Sequence, residues 1–460
     1  MTTPHDYAKT HAERFREQYK ELVRIPSIST LPEHAADVQR AAEWLADQMR
    51  QAGFDSAEII KMPQGRHPLV LGEWIGAGPD TPTVLIYCHY DVQPAVVEDG
   101  WETEPFEPVE KDGRIYARGT TDSKLHVMAQ LKACESLLQT GGAPVNIKLV
   151  LEGEEESGSE NMNAFAEQHG DRLRADYCVI SDGTILDASQ PSLVYALRGI
   201  TTMELHVYGP AQDLHSGHYG GSVHNPIQAL AEIITKLHDD NGTVTVPGFY
   251  DDVIEADAEE RAELAKTNEW TEREWRQVAN APQPWGEREY NIHERVGLRP
   301  TLEINGITGG FTGPGFKTVL PQKSMAKISC RLVANQDPAR IYELVRDYIT
   351  KIAPPTVRTR VVKLEPGAPA AVLGRETRAM QAAAHAYERG WGTRPIFERA
   401  GGSVPITYTF QKVADEVVIM GFGYKSGQAH GPNENAYVHS LHRGIDTAIA
   451  FLQFIGEMHG

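Results

Sequence analysis

The sequence has few cysteines, and no two of them lie close together along the chain. Only four occur in 460 residues, and none forms a CxxC pair. This pattern excludes a structural zinc site built from cysteines and argues against a disulfide framework. Buried reduced thiols in a cytoplasmic protein are expected instead. The four positions are Cys88, Cys134, Cys178 and Cys330.

Long apolar runs are also missing, and basic residues are in the minority. No run approaches the roughly 18–20 apolar residues that cross a bilayer, and the polar N-terminus lacks the basic-then-apolar order of a signal peptide. The 44 basic residues against 63 acidic ones give a net charge of −19. This charge argues against nucleic acid or an anionic membrane as a partner.

Two familiar catalytic motifs are absent. The glycine-rich stretch GITGGFTGPGFKT is not a phosphate-binding P-loop, because Phe316 separates Gly315 from Lys317. No GxSxG motif of a serine hydrolase occurs, since the GGS at 401–403 has no glycine two residues further on.

Two kinds of hydrophobic pattern divide the chain. Before residue 195, short apolar runs typical of buried strands alternate with helical patterns, which predicts an α/β fold with a mostly parallel sheet. Beyond it, TTMELHVYG and MAKISCRLVAN alternate apolar and polar residues, as half-exposed antiparallel strands do. We expect a first domain over 1–194 and 369–460, interrupted by an inserted α+β domain over 195–368. Predicted helices cover Tyr7–Val23, Asp37–Ala52, Ser123–Gln139, Pro226–Leu237 and a charged stretch, Ala256–Val278.

Acidic and histidine residues collect where the predicted strands end. His89 and Asp91 close TPTVLIYCHYD, the glutamate-rich LEGEEESGSE follows an apolar run, and Asp182 follows ADYCVIS. Asp122 stands at a helix start and His430 in a glycine-flanked loop. The carboxyl ends of parallel strands meet at one edge of a sheet, where sites assemble. Imidazole and carboxylate ligands without thiolate suit Zn²⁺, Mn²⁺ or Co²⁺.

Nine motifs, spread from residue 89 to 430, resemble those of the dinuclear zinc aminoacylase/carnosine dipeptidase family of metallopeptidases. The chain is most similar to the carnosine and cysteinylglycine dipeptidase branch. The resemblance implies a mostly parallel-sheet metallopeptidase domain with an inserted α+β lid and dimerisation domain. The motifs are HYDVQP, ARGTTDSK, EGEEESGS, ISDG, DLHSGHYGG, FKTVLP, CRLV, GGSVP and GQAH.

The resemblance also implies a set of metal ligands. His89 and Asp182 would bind one divalent ion, Glu156 and His430 a second, and Asp122 would bridge both. Zn²⁺ is the first expectation, with Mn²⁺ or Co²⁺ as alternatives. Three carboxylates against two divalent ions leave one positive charge, which a metal-bridging hydroxide, the implied nucleophile, would neutralise.

Further residues acquire roles by the same resemblance. Asp91 would orient the imidazole of His89, and Glu155 would be the general base that takes a proton from water and passes it to the leaving amine. In relatives the lid forms a homodimer, and a lid histidine, here His215, reaches the partner subunit's site to stabilise the oxyanion and bind substrate. Residues that would bind the substrate's carboxylate or backbone are Thr318, Arg331 and Ser403.

The implied activity is hydrolysis of the peptide bond of dipeptides or very short peptides. An N-acyl-amino-acid amidohydrolase with the same centre is the alternative, and a catalytically dead relative would need Glu155 or a ligand replaced, which is not the case. One departure from the family is Leu125, where relatives commonly carry glycine. No role falls on His126, which we expect to be packed or solvated, or on His218 and His224.

Overall fold

The structure is a computed structural model that describes residues 2–364, 367–402 and 406–459. The chain forms two compact units. One unit comprises Met1–Tyr195, Leu373–Phe397 and Ile406–Gly460. The other comprises Ala196–Val372 and Glu398–Pro405. The first unit is thus assembled from segments far apart in the sequence, and the second is inserted between them.

The described residues contain α-helices and β-strands, joined by turns and loops. In chain order the helices are α1 (Pro4–Thr10), α2 (Ala12–Val23), α3 (Ala35–Ala52), α4 (Leu125–Leu138), α5 (Glu160–Leu173), α6 (Ser216–Tyr219), α7 (Pro226–Thr235), α8 (Ala258–Ala265), α9 (Asn268–Glu274), α10 (Ile292–Gly297), α11 (Pro338–Ile352), α12 (Arg378–Trp391), α13 (Ile406–Phe410) and α14 (Val438–Glu457). The strands are β1 (Ser56–Ile60), β2 (Leu69–Trp74), β3 (Thr83–His89), β4 (Val109–Lys111), β5 (Arg114–Tyr116), β6 (Asn146–Glu152), β7 (Ala175–Ile180), β8 (Thr184–Ile185), β9 (Ser192–Leu197), β10 (Gly199–Tyr208), β11 (Leu214–His215), β12 (Thr301–Gly309), β13 (Val319–Leu320), β14 (Lys323–Leu332), β15 (Arg358–Lys363), β16 (Ala371–Val372), β17 (Ile396–Ala400), β18 (Ala414–Ile419), β19 (Gly423–Tyr424) and β20 (Asn435–Tyr437).

A six-stranded sheet in the order β1-β2-β6-β3-β7-β18 forms the centre of the first unit. The strands β6, β3, β7 and β18 are parallel neighbours, whereas β1 and β2 pair antiparallel at one side. The predicted mostly parallel sheet is therefore confirmed. His89 at the end of β3 pairs in register with Glu152 at the end of β6. Both strands consequently release the chain at the same edge of the sheet.

The helices of the first unit follow the predicted positions closely. The segment predicted as one helix over 7–23 is divided at His11 into α1 and α2. The helix α3 ends at Gly53, whose φ of 103° is a left-handed conformation that favours glycine. Almost every side chain of α4 is buried, which fits a helix enclosed by neighbours on all sides rather than one lying on the surface.

The second unit contains an antiparallel sheet in the order β12-β14-β10-β15. Along β10, buried and half-buried residues alternate without interruption, as the sequence pattern predicted. Helices α7 and α11 pack against this sheet and supply apolar side chains to its core. The charged stretch predicted over 256–278 forms the two short helices α8 and α9.

The expectation of buried, unpaired cysteines is met. The four cysteines are buried and free, and burial raises the pKa of Cys134 and of Cys330 to about 12, so these thiols stay protonated. Within the described ranges, no helix has both the length and the apolar character needed to cross a bilayer.

Candidate metal centre

The first of two ligand groups is built on His89, at the end of the buried strand β3. Its Nε2 atom lies 3.1 Å from Asp122 Oδ1 and 3.5 Å from Asp182 Oδ1. One ligand atom from each of the three side chains lies within 4.8 Å of the others. Burial opposes a proton on His89, but the neighbouring carboxylates, Asp182 first, raise its pKa well above the usual range.

The second group shares Asp122 with the first. His430 Nε2 lies 3.0 Å from Asp122 Oδ2 and 3.2 Å from Glu156 Oε2. Hydrogen bonds with these two carboxylates raise the pKa of His430 to about 10. Burial would raise the pKa of Asp122, but hydrogen bonds with His430 and His89 hold it well below its usual range. Each oxygen of Asp122 thus faces a different imidazole.

The donor atoms fit divalent cations. Three carboxylates and two imidazoles converge, without a thiolate, and oxygen and nitrogen donors of this kind suit Zn²⁺, Mn²⁺ or Co²⁺. The Oε1 atom of Glu156 is buried and has no hydrogen-bond partner among the described residues. Such an atom would be costly to bury unless a ligand satisfied it. The five residues predicted as metal ligands are therefore brought together as two groups with one common carboxylate.

Asp91 lies behind the first group and contacts both His89 and the glutamate loop. Its carboxylate is 3.4 Å and its backbone carbonyl 3.1 Å from Nδ1 of His89, the ring nitrogen that faces away from the other carboxylates. Its two carboxylate oxygens accept the backbone N–H groups of Glu155 and Glu156 at 3.1 and 3.0 Å. Ser29 Oγ donates to the same carboxylate at 2.6 Å. The contact with His89 was predicted from the sequence, whereas the hydrogen bonds to the backbone of Glu155 and Glu156 were not.

Glu155 follows β6 in the same loop as Glu156. Burial, reinforced by the charges of Asp182 and Glu156 and opposed by His89, raises the pKa of Glu155 to about 8. A carboxyl group with so high a pKa can exchange a proton near neutral pH. This behaviour is the one required of a general base or acid.

The other glutamates of LEGEEESGSE serve the local structure. Glu152 is buried and accepts a hydrogen bond from the Tyr87 hydroxyl at 2.6 Å. Glu154 lies 3.7 Å from Arg66, which also pairs with Glu160 on the surface. Gly153 has no room for a larger side chain, since a Cβ there would lie 2.4 Å from the hydroxyl oxygen of the buried Tyr90 and 2.6 Å from its ring. The five glutamates of this stretch are therefore not equivalent.

Two polar residues around the ligand groups were missed by reasoning from the sequence. Gln93 Nε2 donates to Glu156 Oε2 at 2.7 Å. Glu434, four residues after His430, is fully buried and accepts the backbone N–H groups of Thr121 and Asp122. Gln93 lies inside the quoted motif HYDVQP, whereas Glu434 lies just beyond the quoted GQAH, at the end of the GPNE that follows it. Their residue types indicated nothing of these contacts, because the partners are far away in the sequence.

The departure at Leu125 leaves the ligand groups intact. Leu125 is the first residue of α4 and is fully buried, while Asp122, three residues earlier, remains part of both groups. His126 is buried against the loop after β7, with its Nε2 atom 2.9 Å from the carbonyl oxygen of Gly183. It therefore packs inside the unit, one of the two outcomes expected for it.

The second unit carries three of the residues predicted to contact substrate. His215 is the last residue of β11, and Thr318 directly precedes β13, the strand that pairs with β11. Both side chains are exposed, and His215 Nε2 lies 3.5 Å from Thr318 Oγ1. Arg331, on β14, lines a cavity of about 350 Å³ together with Arg198 and Glu303. Ser403 lies outside the described residues.

Comparisons with known proteins agree along nearly the whole chain. The sequence model described as "Peptidase family M20/M25/M40" matches residues 85–453. A Cys-Gly metallodipeptidase of Candida albicans is 31% identical, over 96% of this chain and 95% of its own. The crystal structure of human carnosine dipeptidase 1 superposes with a TM-score of 0.82 at 30% identity, over 99% of this chain and 98% of its own. A metallo-carboxypeptidase of the M20 family from Sulfolobus solfataricus gives a TM-score of 0.82 at 30% identity, over 96% and 99%.

Proposed function

The chain belongs to the peptidase family M20/M25/M40, and from this premise we propose that it hydrolyses the peptide bond of dipeptides and very short peptides in a metal-dependent reaction. The observation that carries the proposal is the pair of ligand groups that share Asp122. Support for the substrate class comes from relatives of nearly the same length that are named for dipeptides.

Two divalent ions per subunit, Zn²⁺ first and Mn²⁺ or Co²⁺ as alternatives, would occupy the centre. His89 and Asp182 would hold one ion, Glu156 and His430 the other, and Asp122 would be a ligand to both. When bound, such ions polarise a carbonyl group and lower the pKa of a water molecule to about 7.

The chain's own residues would manage the proton. Glu155 would accept it from the attacking water and deliver it to the nitrogen of the leaving amine, so that one carboxylate acts as base and then as acid. Asp91 would keep Nδ1 of His89 protonated and turned away from the centre, which leaves Nε2 free to act as a ligand. By accepting the N–H groups of Glu155 and Glu156, it would also fix the loop that carries both.

Substrate recognition would depend on the second unit. Arg331 would bind the terminal carboxylate, since a guanidinium matches a carboxylate with two parallel hydrogen bonds. Thr318 and Ser403 would bind the same carboxylate or the substrate backbone. We further propose a homodimer formed through the inserted unit, in which His215 stabilises the oxyanion in the partner's site. The exposure of both His215 and Thr318 supports this arrangement.

The proposed location of the enzyme is the cytoplasm. Four buried cysteines without a disulfide suit a reducing compartment.

A substrate panel tests the proposed function. The purified enzyme, loaded in turn with Zn²⁺ and Mn²⁺, is incubated with dipeptides, tripeptides and N-acyl amino acids, and the products are identified by mass spectrometry. We expect cleavage of dipeptides. Turnover of an N-acyl amino acid without cleavage of any dipeptide would instead support an N-acyl-amino-acid amidohydrolase that uses the same centre.

A further inference from the structure

Glu434 accepts four hydrogen bonds from the segment that contains Asp122. Its Oε1 atom accepts the backbone N–H groups of Thr121 at 2.8 Å and Asp122 at 3.0 Å. Its Oε2 atom accepts the N–H of Gly119 at 2.9 Å and Nη1 of Arg118 at 2.7 Å. The side chain is fully buried, so no water competes for these bonds and the carboxylate defines the path of this segment.

The same carboxylate is linked through Arg118 to His430, the histidine of the second ligand group. Arg118, itself buried, uses Nη1 to pair with Glu434 and Nη2 to donate to the backbone carbonyl of His430 at 3.2 Å. His430 has a left-handed backbone with φ of 63° in an irregular loop. It therefore lacks the support that a strand gives to His89, and the Arg118 contact holds its backbone instead.

We propose that Glu434 is a positioning residue that fixes the shared carboxylate of Asp122 and, through Arg118, the loop of His430. The inference rests on the proposed metal centre but assigns a role to a residue that is not a ligand. Glu434 does for the Asp122 segment what Asp91 does for the glutamate loop: a buried carboxylate accepts consecutive backbone N–H groups beside the ligands.

The substitution Glu434→Gln changes this contact with little change in volume. An amide offers one oxygen acceptor and one NH₂ donor. In either orientation the NH₂ group points at N–H donors, those of Thr121 and Asp122 or those of Gly119 and Arg118. The segment must then move, and the two oxygens of Asp122 can no longer face both imidazoles as before.

The test measures metal binding directly rather than activity. Co²⁺ is titrated into the metal-stripped wild type and Glu434→Gln, and its visible absorption spectrum and affinity are recorded. We expect the variant to bind Co²⁺ about 10–100-fold more weakly, as is typical when an outer hydrogen bond of a ligand is lost, with an altered spectrum. Unchanged affinity and spectrum would overturn the proposal. If the wild type itself binds no Co²⁺, the proposed function fails instead.

A matched control separates positioning from general stability. Glu135 is also buried and pairs with Lys132 at 2.9 Å and Arg14 at 2.5 Å, but it contacts no ligand. Glu135→Gln should lower the unfolding temperature without changing the Co²⁺ spectrum. Equal spectral changes in both variants would contradict a specific role for Glu434. If Glu434→Gln does not fold, Glu434→Asp serves in its place, because it keeps the buried negative charge but, being one methylene shorter, withdraws the carboxylate from its donors. Its expected loss of affinity is smaller, and no loss would overturn the proposal.

Discussion

The two ligand groups share Asp122 but differ in how the protein supports their histidines. His89 ends a strand in the interior of the sheet, and its side chain is 1% exposed, with Asp91 against its second nitrogen. His430 lies in a loop, and its side chain is 56% exposed. One imidazole is thus fixed by the sheet and its neighbours, whereas the other depends on contacts made by its backbone.

The two groups therefore differ in how far their side chains are ordered before a cation binds. A ligand held by a buried strand loses little conformational freedom on binding, but a ligand on an exposed loop loses more. We therefore expect the ion beside His89 to bind more tightly, and the ion beside His430 to exchange first. These expectations can be tested with substitutions that affect both ligand groups, only one of them, or neither.

The largest effect is expected from Asp122→Ala, which removes the carboxylate that both groups use. Loss of both ions withdraws several kcal/mol of transition-state stabilisation, so dipeptide cleavage should fall by about 10³-fold or more. Metal content by mass spectrometry and kcat/KM on a dipeptide measure the two losses. Asp415→Ala, which removes only a surface pair with Arg174, is the control. Retention of two ions by Asp122→Ala would show that the groups do not depend on a common ligand.

The next effect distinguishes two adjacent glutamates. Glu155→Gln should keep both ions but lower kcat by about 10²–10⁴-fold, the usual contribution of a general base. Glu156→Gln should instead lose the ion beside His430 and keep the ion beside His89. Metal content and single-turnover rates of the two variants give the answer. Glu160→Gln, altered only on the surface, should behave as the wild type. Loss of an ion from Glu155→Gln would mean that the two roles are exchanged.

The sequence indicated the residues of the two ligand groups better than the contacts that hold these residues in place. His89, Glu156 and Asp182 follow apolar runs that form strands of one sheet, so the period and length of those runs were enough to indicate a common edge. The family resemblance then placed Asp122 and His430. The mostly parallel sheet and the antiparallel pattern of β10 were predictable for the same reason, since both depend on local hydrophobic patterns.

The supporting contacts were not predictable because they join distant segments. The carboxylate of Glu434 meets backbone N–H groups more than 300 residues earlier in the chain, and Asp91 meets those of Glu155 and Glu156. A backbone N–H group is the same at every residue except proline, so no side-chain motif records such a bond. Only the folded chain reveals which carboxylate accepts it.

The smallest predicted effect tests the difference between the two groups most directly. Gln93 donates a hydrogen bond at 2.7 Å to Glu156, which belongs to the second ligand group alone. Gln93→Met keeps the length of the side chain but removes the donor. A hydrogen bond to a charged group contributes about 1.5 kcal/mol at the low end, so the ion beside His430 should bind about tenfold more weakly, with the ion beside His89 unaffected.

A stepwise Co²⁺ titration of Gln93→Met resolves the two ions. The control is Gln39→Met, because Gln39 donates in the same way to Glu43 at 2.9 Å on the exposed face of α3, far along the chain from every ligand. It should leave both affinities unchanged. Equal weakening of both ions by Gln93→Met would mean that the two groups respond as one unit, because a change beside Glu156 would then be transmitted through Asp122 to His89. Weakening of the second ion alone would show that the exposed group can be adjusted independently of the buried one.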